Sequence, residues 1–447
     1  MSGAVAAEDR RSFRTFLVLW STQTLSLFGS FVTQFAVNIW LTIERYPRPE
    51  QKGELALALT ACGVASTLPL IFFMPLAGAF ADRHDRRRIL IVANIVSAAL
   101  TALLVALYAA HLLTLPAAVV LLAGYALTGS FHSAAFDSSY ATLVPEAQLG
   151  RANGMMQTSF ALSQVVAPAI AATLIGLPAL VRAGGLTLPA SFTSGVPFAF
   201  AADGVSFVIA AVAVALLRFP PAAGGARGAS VWHDTAEGFA WIVKRRPFLW
   251  LISFGGLANL TFAPLILLMP LLVRDRLAAD CAARHLSYEA ALALVNSVMG
   301  LGGVVGGVLM TVWGGLRRKL VFGMVGSMIA LGAGQVFAGL STTVAAFAAG
   351  LFLSELLVPA LNAHSFLLWK DLTPPGMLAR ALSTRRFIAQ SAFPIGTMIS
   401  GWLAVRFEPW IVVTIAGALL TTWCTAMMLT PSFATLEARM RASAASD

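Results

Sequence analysis

Long stretches without a charged residue are the feature that most limits what this chain can fold into. A helix needs ~20 residues to cross ~30 Å of hydrocarbon. Seven runs reach or approach that length: 15–43, 55–81, 152–181, 247–273, 290–316, 387–405 and 409–436. Two longer runs, 89–136 and 320–369 (the second broken only by Glu355), predict two helices each. Their turn signals lie at His111–Pro116 and Gly339–Thr343.

One more apolar segment, Val196–Leu217, contains Asp203 and is the twelfth predicted helix. The sequence therefore predicts an all-α membrane protein with twelve transmembrane helices. Composition agrees, because 11% of the residues are charged, whereas soluble domains carry roughly 25%.

The basic residues lie mainly on one side of the predicted membrane. With the N-terminus placed inside, 22 of the 30 Lys and Arg residues fall in cytoplasmic segments, which is the bias that orients membrane proteins. The net charge of +10 is therefore explained by the residues that orient the protein in the membrane. We expect these basic residues to contact membrane lipids and not nucleic acid. We expect a multi-pass protein of a bacterial cytoplasmic (inner) membrane, with both termini cytoplasmic and no cleaved signal peptide.

The two halves of the chain repeat each other. PEAQLGRA at 145–152 aligns with PPGMLARA at 374–381, and QVVAP at 164–168 aligns with QSAFP at 390–394. Two similar halves joined by a long loop are typical of parallel-repeat transporters. We therefore predict two pseudo-symmetric bundles of six helices each.

The predicted bundles cover 1–219 and 248–447, the second with a short cytoplasmic tail, and a cytoplasmic linker covers 220–247. One helical face in the linker carries four apolar residues: Trp232, Phe239, Ile242 and Val243. This pattern favours an interfacial amphipathic helix; a solvated linker is the alternative.

A dense charge cluster follows the second predicted helix. GAFADRHDRRR at 78–88 resembles the signature loop of the major facilitator superfamily. The stretches at 19–41, 143–154 and 245–275 are similar to its bacterial transmembrane secretion effector branch, which includes macrolide-efflux and siderophore-exporter proteins. The resemblance implies the major facilitator fold, in which helices 1, 4, 7 and 10 line a central cavity.

The resemblance also implies that this loop is a conformational latch. Its candidate residues are Gly78, Asp82, Arg83, Arg86, Arg87 and Arg88. We expect Gly78 to let helix 2 approach a neighbour closely, and Asp82 to lie against the positive N-terminal end of a helix, helix 11 by resemblance. We expect the arginines to pair with Asp137 or lipid phosphates. A simple topology anchor is the alternative.

Glu355 is the sharpest candidate for proton coupling. A carboxyl at bilayer depth is costly and marks a functional site by default. Eleven residues into helix 10 at 1.5 Å each, Glu355 is expected near the midplane among apolar neighbours. The alternative is a structural Glu bonded to another helix or to backbone freed by Pro359.

Three further polar groups lie inside or at the ends of predicted helices. Asp137 and His132 on helix 4 are candidates for the proton path. For Asp137 we favour an ion pair with Arg83 or Arg86, and for His132 an interhelical hydrogen bond. Asp203 is interpreted as structural.

An aromatic and amide face on helix 1 is the candidate substrate surface. Its members follow helical spacing: Phe31, Gln34, Phe35 and Asn38. Asn259 and Phe262 on helix 7 and Gln390 on helix 11 are candidates for the same cavity, with helix packing as the alternative for each. Such a surface suits amphipathic molecules. The stretch GLGGVVGG at 300–307 is interpreted as a close-packing surface.

The energy source is expected to be a gradient. None of the four lysines follows a glycine, so the phosphate-binding G-K-[ST] motif is absent from the sequence. We expect protons as the coupling ion, no cofactor or metal, and a chain that works as a monomer. The leading hypothesis is a proton-coupled exporter of a drug-like or siderophore-like compound; an importer or facilitator is the first alternative, and a membrane-embedded enzyme the second.

Overall fold

The computed structural model describes residues 2–145, 148–185, 194–217, 239–316, 318–374 and 377–430, and it is largely helical. Within these residues, twelve helical spans are long and apolar enough to cross a membrane. The first half contains α1 Ser2–Ile39, α2 Lys52–Arg83, α3 Arg86–Ala109, α4 Leu115–Leu143, α5 Leu149–Ala183 and α6 Val196–Leu216. The second half contains α7 Arg246–Leu271, α8 Tyr288–Trp313, α9 Leu320–Leu340, α10a Val344–Leu356, α10b Val358–Leu372, α11 Leu378–Arg406 and α12 Pro409–Met428.

Both long apolar runs divide where their turn signals predicted. His111, with φ of 57°, lies in the turn between α3 and α4, and the Thr114 side chain accepts a hydrogen bond from the N–H of Ala117. In the second half, Thr343 likewise caps α10a by accepting from the N–H of Ala346. A capping hydroxyl satisfies one of the N–H groups that a helix leaves unpaired at its start, which explains why both helices begin at these residues.

The two halves also share an irregularity that the sequence repeats did not predict. The first helix of each half ends in a π-helical turn, at Trp40–Arg45 after α1 and at Leu272–Arg276 after α7. Single π-turns are frequent at functional positions in helices. This correspondence supports the duplication of six helices.

The described residues divide into two compact units whose border differs from the predicted one. Residues 45–64, which we assigned to the first bundle, group with the second unit. There, Lys52 forms a 2.5 Å ion pair with Glu408. A Cβ built on Gly401 would meet the Thr60 side chain, so the start of α2 packs closely on α11.

Each unit has its own apolar core. The core of the first unit includes Phe16, Leu90 and Leu143. The core of the second includes Phe254 and Trp369. Many large apolar side chains elsewhere are exposed, a pattern that suits helices surrounded by lipid rather than water.

The predicted linker lies mostly outside the described residues. This applies to Trp232 and to the whole of 218–238. Residues 239–243 are helical, with Ile242 buried while Phe239 and Val243 are exposed. Ile242 packs in the core of the second unit.

Candidate functional site

Glu355 lies beside an interruption of the tenth span. α10a ends at Leu356, Leu357 is not helical, and α10b begins at Val358. Pro359, in the first turn of α10b, has no N–H to donate to the carbonyl of Glu355, and that carbonyl accepts from the N–H of Leu357 instead. The break is therefore a consequence of the proline.

The carboxyl group of Glu355 is unpaired at this break. The residue is half-buried, and within the described part of the chain its side chain makes neither a hydrogen bond nor an ion pair. A Cβ built on Gly303 of α8 would lie 3.7 Å from Oε2. Glu355 thus faces a helix surface that offers no partner to its charge.

Glycines on α8 bring that helix against α10a. A Cβ on Gly302 would lie 2.5 Å from the carbonyl oxygen of Phe352, and a Cβ on Gly306 would lie 1.9 Å from that of Leu356. Any side chain at either position would push the two backbones apart. The close-packing interpretation of residues 300–307 is confirmed, and these contacts hold the break in place.

His132 contacts a helix of the same unit. Its Nε2 lies 2.6 Å from Oε1 of Gln23 on α1, so the imidazole donates to an amide oxygen. Its ring is parallel to that of Phe136, with centroids 6.5 Å apart. This is the interhelical hydrogen bond that we weighed against a place in the proton path.

Three of the four residues on the candidate face of α1 are partly open. Phe31, Gln34 and Asn38 are half-buried, and the Phe31 ring packs edge-on against Phe160 of α5. Phe35 is 5% exposed, so it is the most buried of the four, and its place in the cavity stays a prediction. The exposed part of this face is therefore narrower than the helical spacing suggested.

The candidates of the second unit differ in exposure. Asn259 is half-buried and donates to the carbonyl of Gly255 on its own helix, at 2.9 Å. Phe262 packs against the core of the unit. Gln390 on α11 is exposed, so it is the most accessible of the three.

Arginines tie the loop between α2 and α3 to the first unit. Arg86 donates to the carbonyl of Ser138 on α4, at 2.9 Å. Arg87 donates to the carbonyls of Val214 and Ala215 at the end of α6, where a cation also meets the negative end of the helix dipole. Asp85 caps α3 by accepting from the N–H of Arg87.

These contacts bear on the expectations about the latch. A Cβ on Gly78 would meet no described atom within 4 Å, so the close approach expected there is not made in this structure. Arg86 contacts α4 at Ser138, the residue after Asp137, and the ion pair of Asp137 with Arg83 or Arg86 stays a prediction. Arg83 and Arg88 are exposed, and the Asp82 side chain lies outside the described set.

The corresponding loop of the second unit is held by a histidine. Gly314 and Gly315 adopt φ of 76° and 74°, and the N–H of Leu316 donates to Nε2 of His364 at 2.9 Å. Nδ1 of the same ring lies 2.7 Å from the carbonyl oxygen of Ala360. The imidazole is 1% exposed; its Nε2 accepts from Leu316, and its Nδ1 donates to Ala360.

Sequence reasoning missed a polar cluster around Asp203. Its side chain is fully buried, and its Oδ2 accepts hydrogen bonds from the Thr33 hydroxyl of α1 at 2.7 Å and from the Tyr125 hydroxyl of α4 at 3.0 Å. The signal was present on α1, where Ser26, Ser30 and Thr33 follow helical spacing. The sequence analysis interpreted Asp203 as structural but named no partner for it, because Thr33 and Tyr125 lie far from it along the chain.

Twelve spans in two repeated halves, with one of the spans interrupted, are typical of transporters built from two repeats. The family model described as Major Facilitator Superfamily matches residues 19–397. The chain therefore belongs to the major facilitator superfamily and is a transporter, not an enzyme. The resemblance of the loop at 78–88 is confirmed.

Two macrolide-efflux proteins align with most of this chain. Macrolide efflux protein A of Streptococcus pyogenes is 26% identical over 399 residues, covering 88% of this chain and 89% of the relative. Macrolide efflux protein A of Enterococcus faecalis is 26% identical over 337 residues, covering 74% of this chain and 95% of the relative. The likeness to macrolide-efflux proteins is thus confirmed across most of the chain.

Solved structures show the same fold. A bacterial homologue of the human lysosomal transporter Spinster, inward-facing and unoccupied, has a TM-score of 0.66 at 14% identity, covering 97% of this chain and 98% of that one. The peptide transporter POT has a TM-score of 0.68 at 13% identity, covering 94% and 95%. A D-xylose–proton symporter has a TM-score of 0.63 at 14% identity, covering 92% and 96%.

Proposed function

We propose that this transporter exports an amphipathic small molecule, drug-like or siderophore-like, in exchange for protons by alternating access. The observation that carries the proposal is the unpaired carboxyl of Glu355 at the break in the tenth span. Interrupted helices supply binding sites in secondary transporters, and an intramembrane carboxyl is a proton-relay candidate. Glu355 would bind a proton in one state of the cycle and release it in another.

The energy of one proton is sufficient for export. A charge crossing ~100 mV gains ~2.3 kcal/mol, and one pH unit adds ~1.4 kcal/mol. Together these terms sustain a solute gradient of about a few hundredfold. The efflux named in the Streptococcus and Enterococcus relatives supports an outward direction, and the half-buried face of Phe31, Gln34 and Asn38 supports an amphipathic cargo.

Glu355→Gln tests the coupling. The purified protein is reconstituted in liposomes with erythromycin, a macrolide, as the probe. The variant should lose accumulation driven by a pH gradient but keep exchange of labelled for unlabelled probe, since exchange needs no net proton movement. Glu50→Gln, which changes an exposed carboxyl outside the interrupted helix, is the matched control.

Two outcomes would contradict this role. Full pH-driven accumulation in Glu355→Gln would remove Glu355 from coupling. Loss of exchange as well as accumulation would make it a substrate-binding group instead. A chain that imports or equilibrates its substrate is distinguished by comparing right-side-out with inverted vesicles, because an exporter accumulates the probe only in the inverted ones.

We propose in addition that the loop at 78–88 faces the cytoplasm and acts as the latch. Arg86 and Arg87 fasten the loop to α4 and α6, and the resemblance to the superfamily's signature loop assigns the contact that breaks and re-forms to Gly78 and Asp82. Asp82→Asn should slow turnover while substrate binding persists. Asp85→Asn is the control, because Asn also caps helices; equal rates for the two variants would reject the latch.

A further inference from the structure

The first unit contains a carboxyl group that the proposed coupling does not use. Asp203 of α6 is 0% exposed. Its Oδ2 is 2.7 Å from the Thr33 hydroxyl and 3.0 Å from the Tyr125 hydroxyl. Its Oδ1 is buried and has no hydrogen-bond partner within the described residues. A Cβ on Gly29 would lie 2.5 Å from Oδ1, so this oxygen is closed in by the backbone of α1.

No cation of the described residues reaches this carboxyl. The helices packed against α6 are α1, α3 and α5, with Tyr125 reaching in from α4. Their titratable or charged groups within or at the ends of the spans are as follows: Arg14 and Glu44 on or after α1, Arg86, Arg87, Arg88 and Tyr108 on α3, His132, Asp137 and Tyr140 on α4, and Arg151 and Arg182 on α5. Of these groups, Tyr108 is bonded to Glu44, His132 to Gln23, and Arg87 to the far end of α6.

Burial without a cation disfavours a charged carboxylate, because the lost hydration is not replaced. Two hydroxyl donors on one oxygen and none on the other leave half of a carboxylate unsolvated. A neutral acid avoids this cost, provided that its proton has an acceptor. The neighbouring hydroxyls supply one.

The hydrogen bonds form a chain that can run in two directions. The Tyr125 hydroxyl donates to Oδ2 at 3.0 Å, which suits an ionised Asp203. Ser30 lies 2.9 Å from the carbonyl of Ser26 and 2.8 Å from the Tyr125 hydroxyl. When Ser30 donates to Ser26, its oxygen can accept from Tyr125, and the Tyr125 oxygen is then free to accept the proton of a neutral Asp203.

We infer that Asp203 is a second protonation site, joined by Tyr125 and Ser30 to the half-buried edge of the first unit. The inference extends the proposed proton coupling and depends on it only for its role in transport. Release breaks the Asp203 O–H bond: that proton passes to Tyr125, the Tyr125 proton passes to Ser30, and the Ser30 proton passes to water. The net change is one proton released and one negative charge on Asp203, with the hydroxyls reversed.

Infrared spectroscopy of the full chain in lipid tests this assignment without any substrate. A protonated carboxyl gives a C=O stretching band that a carboxylate lacks. We expect a band in wild type that is absent from Asp203→Asn, is retained in Glu355→Gln, and disappears when the pH is raised. Retention in Glu355→Gln separates this proposal from the proposed role of Glu355.

Tyr125→Phe provides a test that does not remove the acid. It deletes the acceptor of the Asp203 proton, so the band should shift to the frequency of a free acid. If Asp203→Asn cannot be purified, ¹³C-labelling of the aspartate carboxyls of wild type and Tyr125→Phe gives the same assignment. A spectrum in which wild type and Asp203→Asn have the same band, or a labelled band that Tyr125→Phe leaves in place, would overturn the inference.

Discussion

A carboxyl group of a membrane span stands out in each half of this transporter, and the surroundings of the two differ within the described residues. Asp203 in the first unit is fully buried and hydrogen-bonded by hydroxyls from two other helices. Glu355 in the second unit is half-buried, unpaired within the described residues, and adjacent to a break in its helix. The first carboxyl therefore has hydroxyl partners that can hold or pass on a proton, and the second has no partner among the described residues.

This difference arises from the neighbouring helices. Hydroxyl side chains on α1 and α4 face Asp203, whereas glycines on α8 face the end of α10a. Hydroxyls stabilise one protonation state by hydrogen bonds. Glycines allow close backbone contact but offer no polar side chain, so the helix surface that faces Glu355 gives its carboxyl no hydrogen-bond partner.

The largest effect is expected from Gly306→Ala, which would disturb the Glu355 side of the comparison alone. The new methyl group would lie 1.9 Å from the carbonyl oxygen of Leu356, so α8 and α10a must separate. We expect a loss of about 3 kcal/mol of stability, measured by thermal unfolding in detergent. Gly307→Ala is the control, because a Cβ there meets nothing described within 4 Å; equal losses would show that the contact is not needed.

Replacing each carboxyl by leucine sharpens the comparison directly. Asp203→Leu leaves the hydroxyls of Thr33 and Tyr125 without their partner, which should cost about 2 kcal/mol. Glu355→Leu removes no hydrogen bond of the described residues and should change stability by less than about 0.5 kcal/mol. The two unfolding temperatures give the answer, and a greater loss for Glu355→Leu would refute our account of the two sites.

The loop at 78–88 in the first unit and the loop at 314–319 in the second are held by different kinds of hydrogen bond. In the first unit the arginine side chains donate hydrogen bonds, while in the second the His364 imidazole accepts one from the N–H of Leu316. His364→Phe should therefore free residues 314–319 and raise their amide exchange roughly fivefold, the equivalent of about 1 kcal/mol. Hydrogen–deuterium exchange measures this, with residues 84–90 as the internal reference. His285→Asn, at a position with φ of 54° that Asn tolerates, is the control variant. Unchanged exchange in His364→Phe would exclude the tether.

The smallest effect concerns a carboxyl outside the spans. The N–H of Val344, followed by Arg284, lowers the pKa of Asp280 below its ordinary value of 3.8. Because the folded pKa is depressed, this stabilisation is present above pH 3.8 and is lost as the pH falls below it. The slope of unfolding temperature against pH below about 4 should be shallower in Asp280→Asn than in wild type. Identical slopes would show that the contact with α10a does not contribute.

Features that depend on nearby residues were predictable. The spans follow from apolar length, and the divisions at His111–Pro116 and Gly339–Thr343 follow from turn residues within a few positions. The close packing of residues 300–307 was predictable too, because glycine in an apolar helix has few other uses. Features that depend on distant residues were not: Phe35 shares its helical face with Gln34 and Asn38, yet packing places it in the interior.

By itself, the sequence determined the number of spans, the duplication and the superfamily, because these are written in continuous stretches of side chains that must match the membrane. The tertiary structure decided which polar groups have partners. Thr33, Tyr125 and Asp203 are separated by up to 170 residues, and Leu316 and His364 by 48. Hydrogen bonds are short-ranged, so whether a buried proton is held or left free to exchange depends on helix packing that no local pattern records.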